Sequence, residues 1–96
     1  MIFEWDENKN QTNQRKHGIS FEEAKTVFHD EQALLEYDEL HSADEDRFRI
    51  LGCSDKGNIL IVVHCIRKES VIRIISSRKA TKTEKAGYER SIGHER

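Results

Sequence analysis

The stretch of residues 47–77 constrains the fold most, because it has the pattern of three β-strands joined by two short turns. Asp55-Lys56-Gly57-Asn58 and Lys68-Glu69 are typical of hairpin turns between antiparallel strands. The middle strand is apolar on both faces over residues 59–63, so we expect other segments to cover both of its sides. The three predicted strands are 47–53, 59–66 and 71–77.

Helix signals flank this block on both sides. Asp6 predicts an N-cap, and Gly18 predicts a stop, for a first helix that ends at His17. Ser20-Phe21-Glu22-Glu23 is a capping box that starts a second helix of about two turns. The same pattern at Thr81-Lys82-Thr83-Glu84 starts a C-terminal helix. Further short strands are predicted at 2–5 and 33–37, with an acidic loop at 38–46.

The order of elements is therefore β-α-α-β-β-β-β-α. It predicts an α+β fold with a small antiparallel sheet, two N-terminal helices and one C-terminal helix. We expect a single domain over residues 1–96, because a chain of this length supports one hydrophobic core. No apolar stretch approaches the roughly 20 residues of a membrane span, and the N-terminus has no secretory signal pattern. We therefore expect a cytoplasmic protein.

The charged residues are divided unevenly along the chain. Residues 1–46 contain thirteen acidic and four basic residues, whereas residues 47–96 contain five acidic and twelve basic ones. A basic half indicates an anionic partner, and nucleic acid is the most common one. The alternative is that the two halves neutralise each other across the folded molecule.

The turns also predict which residues lie side by side in the sheet. A two-residue turn at Lys56-Gly57 places Arg49 opposite His64. A two-residue turn at Lys68-Glu69 places His64 opposite Arg73. These three side chains then form a row on one face of the sheet. Arg47 extends the row, and the opposite, core face is predicted to hold Phe48, Ile50, Ile61, Val63, Ile72 and Ile74.

This row has the residue types that metal-free RNA cleavage requires. The reaction needs a base for the 2′-hydroxyl proton, an acid for the departing 5′ oxygen and cations for the charge that builds on the phosphorane. Guanidinium grips phosphate with two parallel hydrogen bonds. A histidine between two arginines has a lowered pKa, which favours its neutral, base-competent form. The alternative is that these arginines only pair with the acidic first half, and that His64 is simply packed.

Two further groups are candidates for catalysis or RNA binding. Arg78 and Lys79 precede the C-terminal helix, where a phosphate would also meet free backbone N–H groups. Glu69 is the only acidic residue between Lys56 and Glu84, which makes it a candidate base, although a turn carboxylate is more often simply solvated.

Neither the cysteines nor the histidines indicate a metal or redox site. Cys53 and Cys65 have no CxxC or His-paired spacing and are interpreted as two small, partly buried thiols. The histidines are scattered at intervals that do not suit a metal site, so we expect no metal and no cofactor. They are His17, His29, His41, His64 and His94.

Five segments, in order over nearly the whole chain, carry a family resemblance. They are Phe3-Glu4-Trp5-Asp6-Glu7-Asn8-Lys9, Lys16-His17-Gly18-Ile19-Ser20-Phe21-Glu22-Glu23-Ala24, Arg47-Phe48 with Gly52, Val62-Val63-His64, and Ile72-Arg73-Ile74-Ile75-Ser76-Ser77-Arg78-Lys79-Ala80-Thr81 followed by Glu84 and Tyr88. Together they resemble the BrnT family of ribonuclease toxins.

The resemblance implies a compact RelE-like fold, a ribonuclease that arrests translation and growth, and neutralisation by a BrnA-type antitoxin. In such systems the complex, usually with two copies of each protein, represses its own operon through the antitoxin. The resemblance also implies that Arg67, Arg73 and Arg78 are active-site residues. The candidate catalytic set is then His64, Arg67, Glu69, Arg73 and Arg78, and the candidate RNA-binding set is Arg47, Arg49, Lys79 and Lys82.

One position departs from the family pattern. Many members have Thr and then Glu after the matching histidine, where this chain has Cys65 and Ile66. If that Glu moves protons in its relatives, this chain must use Glu69 or react more slowly. The main prediction is a metal-independent endoribonuclease toxin. The alternatives are a degenerate toxin that acts as an antitoxin-binding corepressor, and an unrelated small nucleic-acid binder.

Overall fold

The computed structural model describes residues 1–68 and 70–94. The predicted α+β fold and element order are confirmed, with two 3₁₀ segments added. The elements are β1 (Ile2–Glu4), α1 (Glu7–His17), α2 (Phe21–Ala24), a 3₁₀ helix (Lys25–His29), β2 (Leu34–Tyr37), a 3₁₀ turn (Glu39–His41), β3 (Phe48–Cys53), β4 (Ile59–Arg67), β5 (Val71–Lys79) and α3 (Lys82–His94). None of the helices in the described ranges combines the length and the apolar character that crossing a membrane requires.

The strands form one five-stranded sheet in the order β1-β5-β4-β3-β2. The pairs β2–β3, β3–β4 and β4–β5 are antiparallel, as predicted. In contrast, β1 runs parallel to β5 and pairs Phe3 with Ile72. Only strands joined by a hairpin must be antiparallel. Because β1 and β5 are far apart in sequence, the turn pattern carried no information about this pair.

Both hairpin turns contain one more residue than the predicted two. In the first turn, the Ser54 N–H donates to the Asn58 carbonyl at 2.8 Å, and Gly57 has a φ of 82°. This left-handed conformation is typical of three-residue hairpin loops. In the second turn, Arg67 pairs with Val71, so residues 68–70 connect the strands. Each extra residue shifts the pairing by one position.

The predicted Arg49–His64–Arg73 row is therefore wrong. Arg49 lies opposite Val63, and Arg73 lies opposite Cys65. Val63 and Cys65 share a face because side chains alternate along a strand, so Arg49 and Arg73 still point to the same side. His64 alone is turned to the opposite side. Each turn error shifts the pairing by one residue, so Arg49 and Arg73 still share a face, whereas His64 points to the opposite one.

The hydrophobic core lies between the sheet and the N-terminal helical segment. Its buried members are Ile19, Phe21, Ala24, Val27, Ile50, Leu60, Val62 and Ile74. The predicted core face was right for β3 and β5 but wrong for β4, where Leu60 and Val62 take the places predicted for Ile61 and Val63. On the other face Ile61 is still only 7% exposed, and it lies in a groove that arginines also line.

Helix α1 has no large apolar residue, and buried asparagines attach it to the rest of the molecule. The Asn13 amide donates to the carbonyls of Ile19 and Ser77, each at 2.8 Å. The Asn13 carbonyl oxygen accepts from the Ser77 N–H at 3.1 Å. Asn10 accepts from the Phe21 N–H at 2.8 Å. Asn13 thereby satisfies the backbone of β5 beyond the point where β1 ends.

Helix α3 is attached to the fold through a buried tyrosine. The Tyr88 hydroxyl donates to the Asp30 carboxylate, which also accepts from the Cys53 N–H at 2.8 Å. Burial raises the pKa of Asp30, but the hydrogen bonds from Tyr88 and from two backbone N–H groups lower it overall. Gly52 lies next to this contact. A Cβ at this position would lie 2.9 Å from the Ala33 Cβ, so glycine is needed for the close approach of β3 to Ala33.

Candidate active site

Five arginines lie on the sheet face that points away from the hydrophobic core. Arg49, Arg73 and Arg78 pair with the residues of β4 that face this side. Arg67 follows on the same side by alternation along β4, and Arg47 lies beside Arg49 in a shared groove. We call this surface the arginine face. Its members are Arg47, Arg49, Arg67, Arg73 and Arg78.

An open groove with a volume of about 360 Å³ crosses part of the arginine face. Its floor is formed by residues of the central strands, including Ile61, Val63 and Ser76. We call it the arginine groove. Its polar and charged lining consists of His17, Asp38, His41, Arg47, Arg49, Ser76, Ser77 and Arg78. Three arginines therefore line one solvent-accessible cleft.

Four of the five arginines form ion pairs within the chain. The pairs are Arg49 with Glu36, Arg67 with Glu45 at 3.6 Å, Arg73 with Glu4 at 3.0 Å, and Arg78 with Glu84 at 2.8 Å. Three of these carboxylates lie in the acidic first half, so that half does neutralise part of the basic half. Arg47 has no ion pair within the described residues, and its Nε is buried without a hydrogen-bond partner there.

A histidine–aspartate pair lies at the edge of the arginine groove. His41 Nδ1 is 3.0 Å from Asp38 Oδ2, and the Asp38 side chain is 5% exposed while the His41 ring is 64% exposed. Backbone contacts fix this loop against the start of β3. The Asp38 N–H donates to the Arg47 carbonyl at 2.8 Å, and the Arg47 N–H donates to Ser42 Oγ at 3.0 Å.

His64 lies in the core and does not reach the arginine groove. It is 2% exposed, with its ring 4.8 Å from that of Phe28 and 5.9 Å from that of Phe48. Nδ1 donates to the Val62 carbonyl at 3.1 Å. The pKa of His64 is lowered, as predicted, but the cause is burial rather than flanking arginines. The interpretation of His64 as a packed histidine, which the sequence left open, agrees with this position.

The structure brings together only some of the predicted site residues. Arg67 and Arg73 lie on the arginine face but do not line the groove. Lys79 is paired with Leu60 on the core side of β5 and lines a separate cavity beside α3. Lys82 is exposed at the start of α3. The candidate base Glu69 lies outside the described residues.

Cys65 and Ile66, the two residues that depart from the family pattern, point to opposite faces of the sheet. Cys65 is 1% exposed and lies on the arginine face opposite Arg73. Burial raises the pKa of its thiol. Ile66 pairs with Ile72 and points to the core side, where it is 48% exposed. A carboxylate at position 66 would therefore point away from the arginine groove.

Sequence reasoning missed Asp38, His41 and His17 as site residues. The loop at 38–46 was interpreted only as acidic, and His17 and His41 were considered only as possible metal ligands. The available signal was the Asp38-x-x-His41 spacing, since a single turn brings side chains three residues apart into contact. No cluster of three or more potential metal-ligating side chains occurs in the part of the chain that the structure describes.

Comparisons with known proteins identify the family. Residues 5–84 match a family model described as the ribonuclease toxin, BrnT, of type II toxin–antitoxin systems. The structure matches the crystal structure of the Brucella abortus ribonuclease toxin BrnT with a TM-score of 0.67 and 26% sequence identity, over 85% of this chain and 100% of that chain. A search among curated proteins gave no match. The motif resemblance is thus confirmed, and the chain belongs to the BrnT family of ribonuclease toxins of type II toxin–antitoxin systems.

Proposed function

We propose that this chain cleaves RNA without a metal ion and that the reaction takes place in the arginine groove. The observation that carries the proposal is the convergence of Arg47, Arg49 and Arg78 on one open cleft. Cleavage of RNA by its own 2′-hydroxyl builds negative charge on a phosphorane. Guanidinium groups stabilise that charge with directed hydrogen bonds and need no metal for it.

Arg47 and Arg78 have different parts in this proposal. Arg47 has no ion pair among the described residues, so its guanidinium is available to a phosphate without displacing a carboxylate. Arg78 is held at 2.8 Å by Glu84, which fixes its side chain beside the groove floor. Arg67 and Arg73 lie on the same face outside the groove, where they bind the phosphates of neighbouring nucleotides.

The toxin is proposed to act in the cytoplasm as one domain, where RNA cleavage inhibits translation and growth. Its partner is a BrnA-like antitoxin in a complex with two copies of each protein, which represses their operon through the antitoxin. We expect acidic side chains of the antitoxin to occupy phosphate positions on the arginine face, because that surface already binds carboxylates of its own chain.

The first test is RNA cleavage by the purified protein in the presence of excess EDTA. Arg78→Ala is expected to lower the cleavage rate by about 10²–10³, the usual cost of removing one donor to a developing oxyanion. Arg90→Ala is the matched control, since Arg90 is exposed on α3 and does not line the groove. Thermal unfolding of all three proteins establishes that they are folded.

Expression in cells, with and without the neighbouring antitoxin gene, extends the test to toxicity. Growth arrest with RNA decay, relieved by the antitoxin, supports the proposed function. Intact RNA with folded protein, both in cells and in vitro, contradicts it and favours the antitoxin-binding corepressor. Equal cleavage by Arg78→Ala and Arg90→Ala would contradict the location of the site while leaving the activity established.

A further inference from the structure

We propose that His41 and His17 are the general base and the general acid of RNA cleavage in the arginine groove, with Asp38 as the residue that positions His41. This inference rests on the proposed function and names the proton-transfer groups that it requires. Guanidinium groups stabilise charge but remain protonated. Another side chain must therefore take the 2′-hydroxyl proton and deliver one to the departing oxygen.

The geometry of the His41–Asp38 pair is that of an oriented base. Both Asp38 carboxylate oxygens lie within hydrogen-bond distance of His41 Nδ1, at 3.1 and 3.0 Å. Because a carboxylate only accepts, Nδ1 carries the hydrogen of this contact, and the Nε2 of a neutral ring in this tautomer has its lone pair free to accept a proton. Because Asp38 is buried while the ring is largely exposed, the carboxylate is fixed and the imidazole is accessible to RNA.

The loop that carries His41 is also hydrogen-bonded to the backbone of Arg47, one of the arginines proposed to bind the phosphate. The hydrogen bonds of Asp38 and Ser42 to the Arg47 backbone connect the loop to the groove wall. His41 and Arg47 both line the groove. A proton acceptor and a phosphate-binding cation are thus part of one local structure, which reduces the reorganisation that catalysis requires.

His17 lines the same groove at the end beside β5, across the groove from His41. It is the last residue of α1, which packs along β5 through Asn13 and Ser77. His41 belongs to the loop that leads into β3. The floor between them is formed by residues of β3, β4 and β5, including Arg49 and Arg78. A phosphate on these arginines therefore has a histidine on each side.

The other predicted proton-transfer group in the described residues is excluded by its position. His64 is 2% exposed and lies on the core side, so RNA cannot reach it without opening the core. Glu36 and Glu84, the carboxylates closest to the groove arginines, are ion-paired to Arg49 and Arg78. Among the described residues that line the groove, His17 and His41 are the exposed side chains, apart from the arginines, that can transfer a proton.

The reaction balances with these two groups alone. His41 Nε2 accepts the proton of the 2′-hydroxyl, and the 2′ oxygen forms a bond to phosphorus. The bond between phosphorus and the 5′ oxygen breaks, and this oxygen takes a proton from the His17 imidazolium. The products are a 2′,3′-cyclic phosphate and a 5′-hydroxyl, and the histidines end with their protonation states exchanged. Solvent restores the starting states.

The test compares wild type, His41→Gln and His17→Gln with His29→Gln on an RNA oligonucleotide that the wild-type protein cleaves. His29 is exposed and does not line the groove, which makes its variant the matched control. Each groove variant is expected to lose about 10²–10⁴ in cleavage rate, the usual contribution of general acid–base catalysis. Thermal unfolding is measured for every variant.

A substrate with sulfur in place of the 5′ oxygen at the scissile bond separates the two roles. Sulfur departs without a proton, so this substrate is expected to restore cleavage by His17→Gln to within about tenfold of wild type but not cleavage by His41→Gln. For Asp38, the variant Asp38→Asn keeps the shape of the side chain but removes the charge. It is expected to lower kcat with little change in KM, as a positioning residue should.

The outcomes distinguish this inference from the proposed function. Loss of activity in both groove variants, with rescue of His17→Gln alone, establishes the assignment. Cleavage by wild type and by both groove variants at the rate of His29→Gln overturns it and leaves the proposed function intact. Rescue of His41→Gln instead of His17→Gln overturns the assignment of roles. Absence of cleavage by folded wild-type protein overturns both proposals.

Discussion

Glu84 stabilises the C-terminal part of the molecule in two ways. Its carboxylate accepts from the Thr81 N–H at 2.8 Å, and its own N–H donates to Thr81 Oγ1 at 3.2 Å. This is the reciprocal capping box predicted from the sequence. The same carboxylate binds the Arg78 guanidinium through two hydrogen bonds, at 2.8 and 3.0 Å. These bonds, with that from Thr81, lower the pKa of Glu84 to about 2.

This lowered pKa predicts a specific loss of stability in acid. The folded pKa lies below the ordinary value of 4.5, so the contribution of Glu84 is fully present above pH 4.5 and is lost as the pH falls toward 2. In Glu84→Gln that contribution is absent at all pH values. Urea unfolding from pH 7 to pH 2.5 should show the difference between wild type and variant shrinking in this window. A difference that is constant with pH would contradict the prediction.

At the scale of elements, short-range signals in the sequence predicted where each helix starts and where α1 ends, but not that α2 stops at Ala24 and continues as a 3₁₀ helix. Asp6 caps α1 by accepting from the Asn8 N–H at 2.8 Å, and Gly18 ends it with a φ of 70°. The box at Ser20 is only half formed. Ser20 Oγ accepts from the Glu23 N–H, but the Glu23 carboxylate accepts from Ser54 Oγ at 2.7 Å instead. That contact comes from distant sequence, which local patterns do not encode.

The strand register could not be predicted for the same physical reason. A turn of two residues and a turn of three residues are both compatible with the sequence at Asp55–Asn58. The choice depends on the left-handed conformation of Gly57 and on contacts of Ser54 with the N-terminal segment. One residue of difference moves a side chain to the other face. The arginine face was therefore predicted in part, while the position of His64 was not.

The attachment of α1 gives a prediction at this scale. Asn13→Ala removes three hydrogen bonds and leaves backbone groups of Ile19 and Ser77 buried without partners. We expect a loss of about 2–4 kcal/mol in the free energy of unfolding. Asn8→Ala is the control, because Asn8 is exposed on the same helix. Urea unfolding measures both, and equal stability of the two variants would show that Asn13 does not hold the helix.

At the scale of the whole molecule, the hydrophobic core and the proposed active site lie on opposite faces of the sheet. One face packs against the N-terminal helices and contains the buried apolar residues, while the other carries the arginines and the groove. The charge asymmetry of the sequence predicted either an anionic partner or neutralisation across the fold, and the four ion pairs on the arginine face show that neutralisation accounts for part of it. It could not show that Asp38 and His41 join this surface, because that depends on how the loop folds back on Arg47.

The internal ion pairs give a prediction for RNA binding. Glu36→Gln frees Arg49, so we expect tighter binding of a single-stranded RNA with 2′-O-methyl riboses, which cannot be cleaved. The slope of log affinity against log salt should become steeper by up to about 0.7, the value for one additional neutralised phosphate. Glu31→Gln changes the net charge equally at an exposed position and is the control. The same affinity and slope for both variants would contradict the prediction.

The same pairs have a consequence for how a toxin behaves in a cell crowded with nucleic acid. The arginine face carries its own counterions, and three of them, Glu4, Glu36 and Glu84, are only partly buried. A phosphate that reaches Arg49, Arg73 or Arg78 must compete with a tethered carboxylate at high local concentration. Under the proposed function, binding there is an exchange, and we expect the returning carboxylate to speed the departure of the product. The expected consequence is a lower affinity for bulk RNA together with a faster release of cleaved RNA.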